Sequence, residues 1–273
     1  TEEGAGSDHQ GYYDSPDIDF RTTAVRDGDS YVINGSKRYV SNGCMAKLYF
    51  VVARTDPSKS LREGGSVFAV PSSTPGFRAG FFHEKSSQRL ATNGTFHFEN
   101  CRVPAGNLLG GEGLMSRLRA DFMWGSKAEA AATVLGVGRA AYEYALQYAK
   151  RRVQGGRPIV EQQAVAMMLA QMAMKLDAAR LQVWKAAWLA DRREPQARTL
   201  GLLAKVNASE TVFEACKLAA EVLGGAAIMH DHPVEKYLRD AASFLHSDGT
   251  NQVCLLRAAQ GLASPAAGTL YGF

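Results

Sequence analysis

The apolar residues of this chain change period once, near Leu114, and that change limits the fold more than any other feature. Before it, over 20–100, short runs rich in Val, Tyr, Phe and Thr alternate with turn residues. Thr22–Arg26, Asp27-Gly28-Asp29 and Ser30–Ile33 read as a hairpin. Asn34-Gly35 reads as a second turn into Lys37–Ser41, and Leu48–Arg54, Ser66–Val70, Phe77–Phe82 and Thr95–Glu99 as further strands. The stretch 56–65 is polar and reads as a loop. Strands with no helices between them predict a small antiparallel barrel or sandwich. After Leu114 strong helix formers dominate, and Leu169, Met172, Leu176, Ala179 and Val183 recur at steps of three and four. The pattern predicts long helices near 114–151, 160–191, 196–222 and 248–262, with a short one near 233–241. Joined by short turns, they form an antiparallel four-helix bundle. The expected fold is therefore α+β, with a β-rich domain over 1–113 and a helical bundle over 114–273.

Composition excludes several classes. The 273 residues are 46% apolar and 21% charged, which are globular proportions. The net charge of +4 is too small to argue for nucleic acid. Residues 1–115 carry −1 and the remainder +5, so an anionic ligand is expected to meet the second half. Cys44, Cys101, Cys216 and Cys254 are dispersed, with no metal-ligand spacing, and read as reduced, cytosol-type thiols. His230-Asp231-His232 reads as a turn before Pro233. No run of about 18 apolar residues exists to span a membrane. The acidic, polar opening segment does not resemble a signal peptide.

Four segments are candidates for chemistry, each beside a plainer account. The opening TEEGAGSD can present backbone N–H groups to a phosphate or a flavin edge, or be a surface loop. Gly136-Val137-Gly138-Arg139-Ala140-Ala141 matches GxGxxA, but inside a helical run, so it reads as close helix packing and not as a dinucleotide fingerprint. Lys150, Arg151, Arg152 and Arg157 form the densest basic cluster, either a phosphate clamp or a helix end complementing its dipole. Asp248, before an apolar run, is either a helix N-cap or a carboxylate base.

Taken together and in order, the motifs resemble the middle and C-terminal domains of acyl-CoA dehydrogenases. TEEGAGSD is similar to that family's TEPGAGSD, and KRYVSNG at 37–43 to its K-x-W-I-T-N-G. Arg152–Gln163 is similar to R-x-x-F-G-x-x-I…Q, and EVLGG at 221–225 to Q-x-x-G-G. Pro233–Gln252 is similar to P-V-E-[KR]-x-x-R-D…E-G-T-x-x-Q. The resemblance implies bound FAD and α,β-dehydrogenation of an acyl-CoA thioester, with Asp248 as the base. It implies that Thr1, Gly6, Ser7, Tyr39 and Ser41 cradle the flavin. Arg152, Gln154, Glu221, Gly224 and Gly225 would reach the FAD of a neighbouring subunit, Gln163 would bind the cofactor, and Thr250 and Gln252 would contact it near the base. Ser7, Trp124, Lys127 and Gly249 would contact substrate. The implied partners are an acyl-CoA substrate, an electron-transfer flavoprotein or similar acceptor, and further copies of the chain, in a dimer or tetramer. The implied location is the bacterial cytoplasm or the mitochondrial matrix.

The departures from the family pattern are specific. Asp248 stands where Glu is usual, Glu221 where Gln is, Gly155 where Phe is, Tyr39 where Trp is, and Lys127 where a substrate-holding Arg is. Ser126 aligns near the place where some relatives carry the catalytic Glu on the first C-terminal helix, with Glu129 the nearest acid. These departures leave open a second class, a non-catalytic structural subunit of a hetero-oligomer. They also direct the substrate expectation toward a cyclic or branched acyl group. The family's N-terminal helical domain has no counterpart in the sequence, and is expected upstream or on a separate chain.

Overall fold

The computed structural model describes residues 1–6 and 14–263. They divide into two compact units, Thr1–Phe122 and Met123–Phe273.

The first unit is built on strands β1 (Thr23–Asp27), β2 (Ser30–Ser41), β3 (Leu48–Arg54), β4 (Gly65–Pro71), β5 (Phe77–Phe82), β6 (Asn93–Pro104) and β7 (Leu108–Leu109). They form one seven-stranded sheet in the order β5-β6-β2-β1-β3-β4-β7. The pairings are antiparallel except β1 with β3, which is parallel at Thr23 and Arg54, so the sheet is mixed. The ring of Tyr49 on β3 lies 4.7 Å from Phe77 on β5 and 4.7 Å from Phe96 on β6. β3 and β5 are four places apart in the sheet, so these contacts require it to curl over a shared core. Tyr31, Ile33, Val51, Phe68 and Val103 fill that core.

The β1–β2 hairpin closes through Gly28-Asp29, with Asp27 opposite Ser30. Asn34-Gly35 is not a turn. It lies inside β2, where the register against β6 shifts between Ile33 and Gly35. Gly35 has a φ of 138°, and a Cβ there would stand 2.6 Å from the Thr22 Cα. This is a bulge that only glycine fits, and its dipeptide has the composition of a hairpin turn. The 56–65 segment is likewise more than a loop, since helix α1 (Leu61–Gly64) folds there and buries Leu61.

The single helix expected over 114–151 is two: α2 (Met115–Phe122) and α3 (Ser126–Arg151). α2 belongs with the strands, because Met115 is buried with Ala5, Phe20 and Leu61 and Ser116 Oγ donates to the Arg62 carbonyl. In the second unit α3 is followed by the small hairpin β8 (Val153–Gln154) and β9 (Arg157–Pro158). Then come α4 (Gln163–Asp191), α5 (Ala197–Leu223), α6 (Val234–Phe244) and α7 (Asn251–Leu262). α5 is buried along most of its circumference, including Leu200, Ala204, Ala208, Val212 and Ala219, so it is the central helix. The GxGxxA run packs as expected, because a Cβ on Gly138 would stand 2.7 Å from both Leu176 and Val212. The N-cap of α7 is Thr250, whose Oγ1 accepts from the Val253 N–H at 3.3 Å; Asp248 is not the cap.

Candidate functional sites on the two units

On the first unit the opening segment is held to the sheet by a buried ion pair. The Glu2 carboxylate accepts from Lys37 Nζ at 2.6 Å, from the Arg21 N–H at 2.6 Å and from the Thr22 N–H at 3.2 Å. Burial lowers the Lys37 amine to about 8, only partly offset by Glu2. Burial alone would raise Glu2, but Lys37 and the Thr22 and Arg21 bonds prevail and hold it below its ordinary value. The ammonium also sits 3.9 Å from the centroid of the Phe20 ring. Thr1 is tied to Arg38 in both directions: its Oγ1 donates to the Arg38 carbonyl, and its own carbonyl accepts from the Arg38 N–H at 3.0 Å.

The neighbouring strand is distorted where it meets this segment. The β2–β6 register shifts between Lys37 and Val40, and Tyr39 has a φ of 60°. A bulged non-glycine residue in the left-handed region is strained and re-aims its side chain. The Tyr39 ring is 55% exposed, against the His83 ring at 4.5 Å, and its carbonyl accepts from Asn93 Nδ2 at 2.8 Å. A cleft of about 450 Å³ opens at the next two residues of β2, with Thr1 and Ser41 as hydroxyl groups, Val40, Leu48 and Phe50 as apolar wall, and Lys37 and Arg119 as charged groups; Tyr39 does not line it. Phe50 is 68% and Leu48 49% exposed. Exposed apolar side chains beside two hydroxyls fit a flat aromatic group with a polar edge, which is the shape of a flavin ring. Gly6 belongs to the same segment, and a Cβ on it would meet nothing within 4 Å among the described residues. Ser7 lies outside the described residues.

On the second unit the Asp248-Gly249 turn precedes α7. Both residues are left-handed, with φ of 54° and 84°. Short polar residues such as Asp tolerate that region better than most. The Asp248 side chain is exposed, while its carbonyl accepts from Lys127 Nζ. The Gly249 carbonyl accepts from Lys205 Nζ at 2.9 Å. The Ser126 and Ser247 hydroxyls, one residue before Lys127 and Asp248, are buried without a hydrogen-bond partner among the described residues. Orphaned buried hydroxyls of this kind are uncommon and invite a ligand. Trp124 is half-buried, with the Arg198 guanidinium 4.3 Å from its ring centroid. Thr250 caps α7 and Gln252 is exposed on its first turn.

The remaining expected residues form an exposed group. Arg152 closes α3, and Gln154 sits in the β8–β9 hairpin, where its carbonyl accepts from Gln162 Nε2 at 3.4 Å. Gln163 opens α4. Glu221, Gly224 and Gly225 are exposed where α5 ends, and a Cβ on either glycine would meet nothing within 4 Å. His232 Nδ1 shares a hydrogen bond with the Tyr144 hydroxyl at 2.7 Å, and among the described residues no acidic, His or Cys cluster could hold a metal. No helix of the described residues is long and apolar enough to cross a membrane.

Sequence reasoning missed the supports behind both surfaces. Glu2 and Lys37 lay inside quoted motifs but were assigned no role. Lys205 had one visible signal, a lone lysine inside the apolar run of a helix buried on nearly every face.

Known proteins match this arrangement along nearly the whole chain. The acyl-CoA dehydrogenase middle domain matches residues 1–101, and the acyl-CoA dehydrogenase C-terminal domain residues 111–263. Cyclohex-1-ene-1-carbonyl-CoA dehydrogenase of Syntrophus aciditrophicus is 36% identical over 97% of this chain and 62% of its own length. Cyclohexane-1-carbonyl-CoA dehydrogenase of Geobacter metallireducens is 36% identical over 98% of this chain and 67% of its own. The structure of butyryl-CoA dehydrogenase from Megasphaera elsdenii superposes with a TM-score of 0.89 at 33% identity, covering 97% of this chain and 67% of that one. The chain thus spans about two thirds of the length of these relatives. On these matches, the chain belongs to the acyl-CoA dehydrogenase family.

Proposed function

We propose that this chain carries the flavin-binding and base-bearing parts of an FAD-dependent enzyme that removes hydrogen from Cα and Cβ of an acyl-CoA thioester. One observation carries the reading. The Asp248 carboxylate is exposed on a turn whose two carbonyls are engaged by lysines, with the orphaned Ser247 hydroxyl beside it. The carboxylate is thereby left available for a ligand.

The residues divide the work. Thr1, Gly6, Ser7, Tyr39 and Ser41 hold the flavin ring. Arg152, Gln154, Gln163, Glu221, Gly224 and Gly225 meet the cofactor of a second copy, in a dimer or tetramer; their exposure on the hairpin and at the end of α5 supports this. Thr250 and Gln252 would contact the cofactor near the base. Bound FAD would supply the hydride acceptor for the β-hydrogen, with an electron-transfer flavoprotein or a similar acceptor taking the electrons onward. Asp248 takes the α-proton. Its own N–H, for which no partner exists among the described residues, donates to the thioester carbonyl as negative charge grows there. Lys127, Gly249 and Trp124 border the substrate. An acyl chain against apolar walls excludes water and strengthens each of these interactions.

Asp is one methylene shorter than Glu, which withdraws the carboxylate by about 1.5 Å, one C–C bond. A ring at the α-carbon is the substrate class this shorter reach favours, and the two cyclic-acyl relatives support it. The test loads the purified protein with FAD and screens cyclic, branched and straight-chain acyl-CoA thioesters anaerobically for flavin bleaching. Bleaching fastest with cyclohexanecarbonyl-CoA is the expected result. A protein that stays colourless in excess FAD contradicts the proposal and favours a non-catalytic subunit, with the exposed Glu221 carboxylate as the first residue to replace.

A further inference from the structure

Lys205 is 1% exposed, on the most deeply buried helix of its unit. Its Nζ donates to the Gly249 carbonyl at 2.9 Å and to Asn251 Oδ1 at 2.9 Å. Asn251 is buried as well, and is fixed by Ser209 Oγ at 3.0 Å and Glu210 Oε1 at 3.4 Å. Among the described residues no carboxylate lies within ion-pair distance of Lys205; Asp248 and Glu210 act on it only from farther away and do not offset its burial. Burial accordingly lowers its amine from the ordinary lysine value.

A buried cation with no carboxylate in contact is a costly way to fill space, and an apolar residue of the same volume is often neutral or better. What lysine offers and methionine does not is a donor for the Gly249 carbonyl. That carbonyl belongs to a pair of successive left-handed residues, and a non-glycine residue such as Asp248 is strained in that conformation. Such a conformation persists only where its surroundings enforce it. Lys127 grips the Asp248 carbonyl and Lys205 the next one, so two consecutive peptide planes are fixed. Fixing both planes holds the Asp248 Cα in place, and with the left-handed φ of 54° it narrows the directions open to the Cα–Cβ bond.

We propose that Lys205 is a positioning residue for the Asp248 base, acting through the Gly249 carbonyl and Asn251, with Lys127 holding the preceding carbonyl. The proposal rests on the reading of Asp248 as the base. It assigns to a residue that touches neither substrate nor cofactor the task of aiming the carboxylate.

The experiment separates this claim from the one beneath it. FAD-loaded parent, Lys205→Met, Lys127→Met, Asp248→Asn and the double variant Lys205→Met/Asp248→Asn are incubated with phenylacetyl-CoA in D2O. The β-carbon of that thioester bears no hydrogen, so exchange at its α-carbon reports the base alone. Flavin content and thermal midpoint report folding. Lys205→Met is expected to slow exchange at saturating thioester by roughly 10²-fold, the scale of an ångström-sized misplacement, with the half-saturating concentration little changed. In the Asp248→Asn background the same change is expected to cost nothing further. Parent-rate exchange by a folded Lys205→Met overturns the proposal, as does an equal loss in the Asp248→Asn background. Should Lys205→Met not fold, Lys127→Met carries the test: a smaller, equally non-additive loss supports the proposal and parent-rate exchange overturns it. Parent-rate exchange by Asp248→Asn defeats the base reading itself, and the positioning role with it.

Discussion

Each unit buries one lysine behind its candidate site, and the two are satisfied in opposite ways. Lys37 in the β unit meets a carboxylate, Glu2, at 2.6 Å. Lys205 in the helical unit meets only neutral oxygens, a backbone carbonyl and an amide. The Lys37 pair joins two segments distant in sequence and fastens the opening segment to β2, so it acts as an anchor of the fold. The Lys205 contacts converge on a strained turn and narrow the directions open to one side chain. Charge pairing here serves assembly, and donation to a carbonyl serves aim.

That contrast can be broken at the anchor. Glu2→Gln leaves the Lys37 ammonium buried without its counter-ion, and a loss of about 3–5 kcal/mol in urea unfolding is expected for removing one partner of such a pair. The pH dependence sharpens the assignment. Glu2 in the folded state is held below its ordinary value of 4.5, so its contribution is complete above that pH and is lost as pH falls through the lower folded value. The stability gap between parent and Glu2→Gln should therefore be widest between pH 4.5 and the Lys37 value of about 8, and close as pH falls below 4.5. A gap unchanged down to acid pH would show that the carboxylate's charge is not what holds the segment.

A smaller effect sharpens the other side of the comparison. If the helical unit relies on close packing where the β unit relies on charge, adding one methyl should be felt. Gly138→Ala places a Cβ 2.7 Å from Leu176 and Val212, and overpacking costs about 1–3 kcal/mol. The helix preference of alanine returns up to about 1 kcal/mol of that. A modest net destabilisation in thermal unfolding is expected. A stabilised Gly138→Ala variant would mean that α3 and α5 can separate freely, and that packing does not define this unit.

What the sequence made legible followed from local physics. The change of period separates strands from helices, and GxGxxA inside a helical run marks close packing at its second glycine, Gly138, while Gly136 faces open space. Asn34-Gly35 misled because a bulge and a hairpin turn need the same conformational freedom, and only the partner strand distinguishes them. The break at 123–125 was hidden because Met115–Phe122 is helical in its own right and differs from α3 only in what it packs against. The supports of both sites were out of reach for a related reason. Lys37 and Glu2 stand 35 positions apart, and Lys205 and Gly249 stand 44 apart. No local pattern records such a pairing. The motif residues could be named from the sequence, whereas the groups that hold them depend on the folded chain.

The central claim is that Asp248 removes the α-proton, and its replacement by an amide of nearly the same shape tests this most directly. FAD-loaded Asp248→Asn, mixed anaerobically with the best acyl-CoA thioester of the screen, should retain the flavin content and thermal midpoint of the parent. Its rate of flavin bleaching should fall by about 10²- to 10⁴-fold, the range for loss of a positioned base. Bleaching at the parent rate would contradict the account and move the search for the base to Glu129.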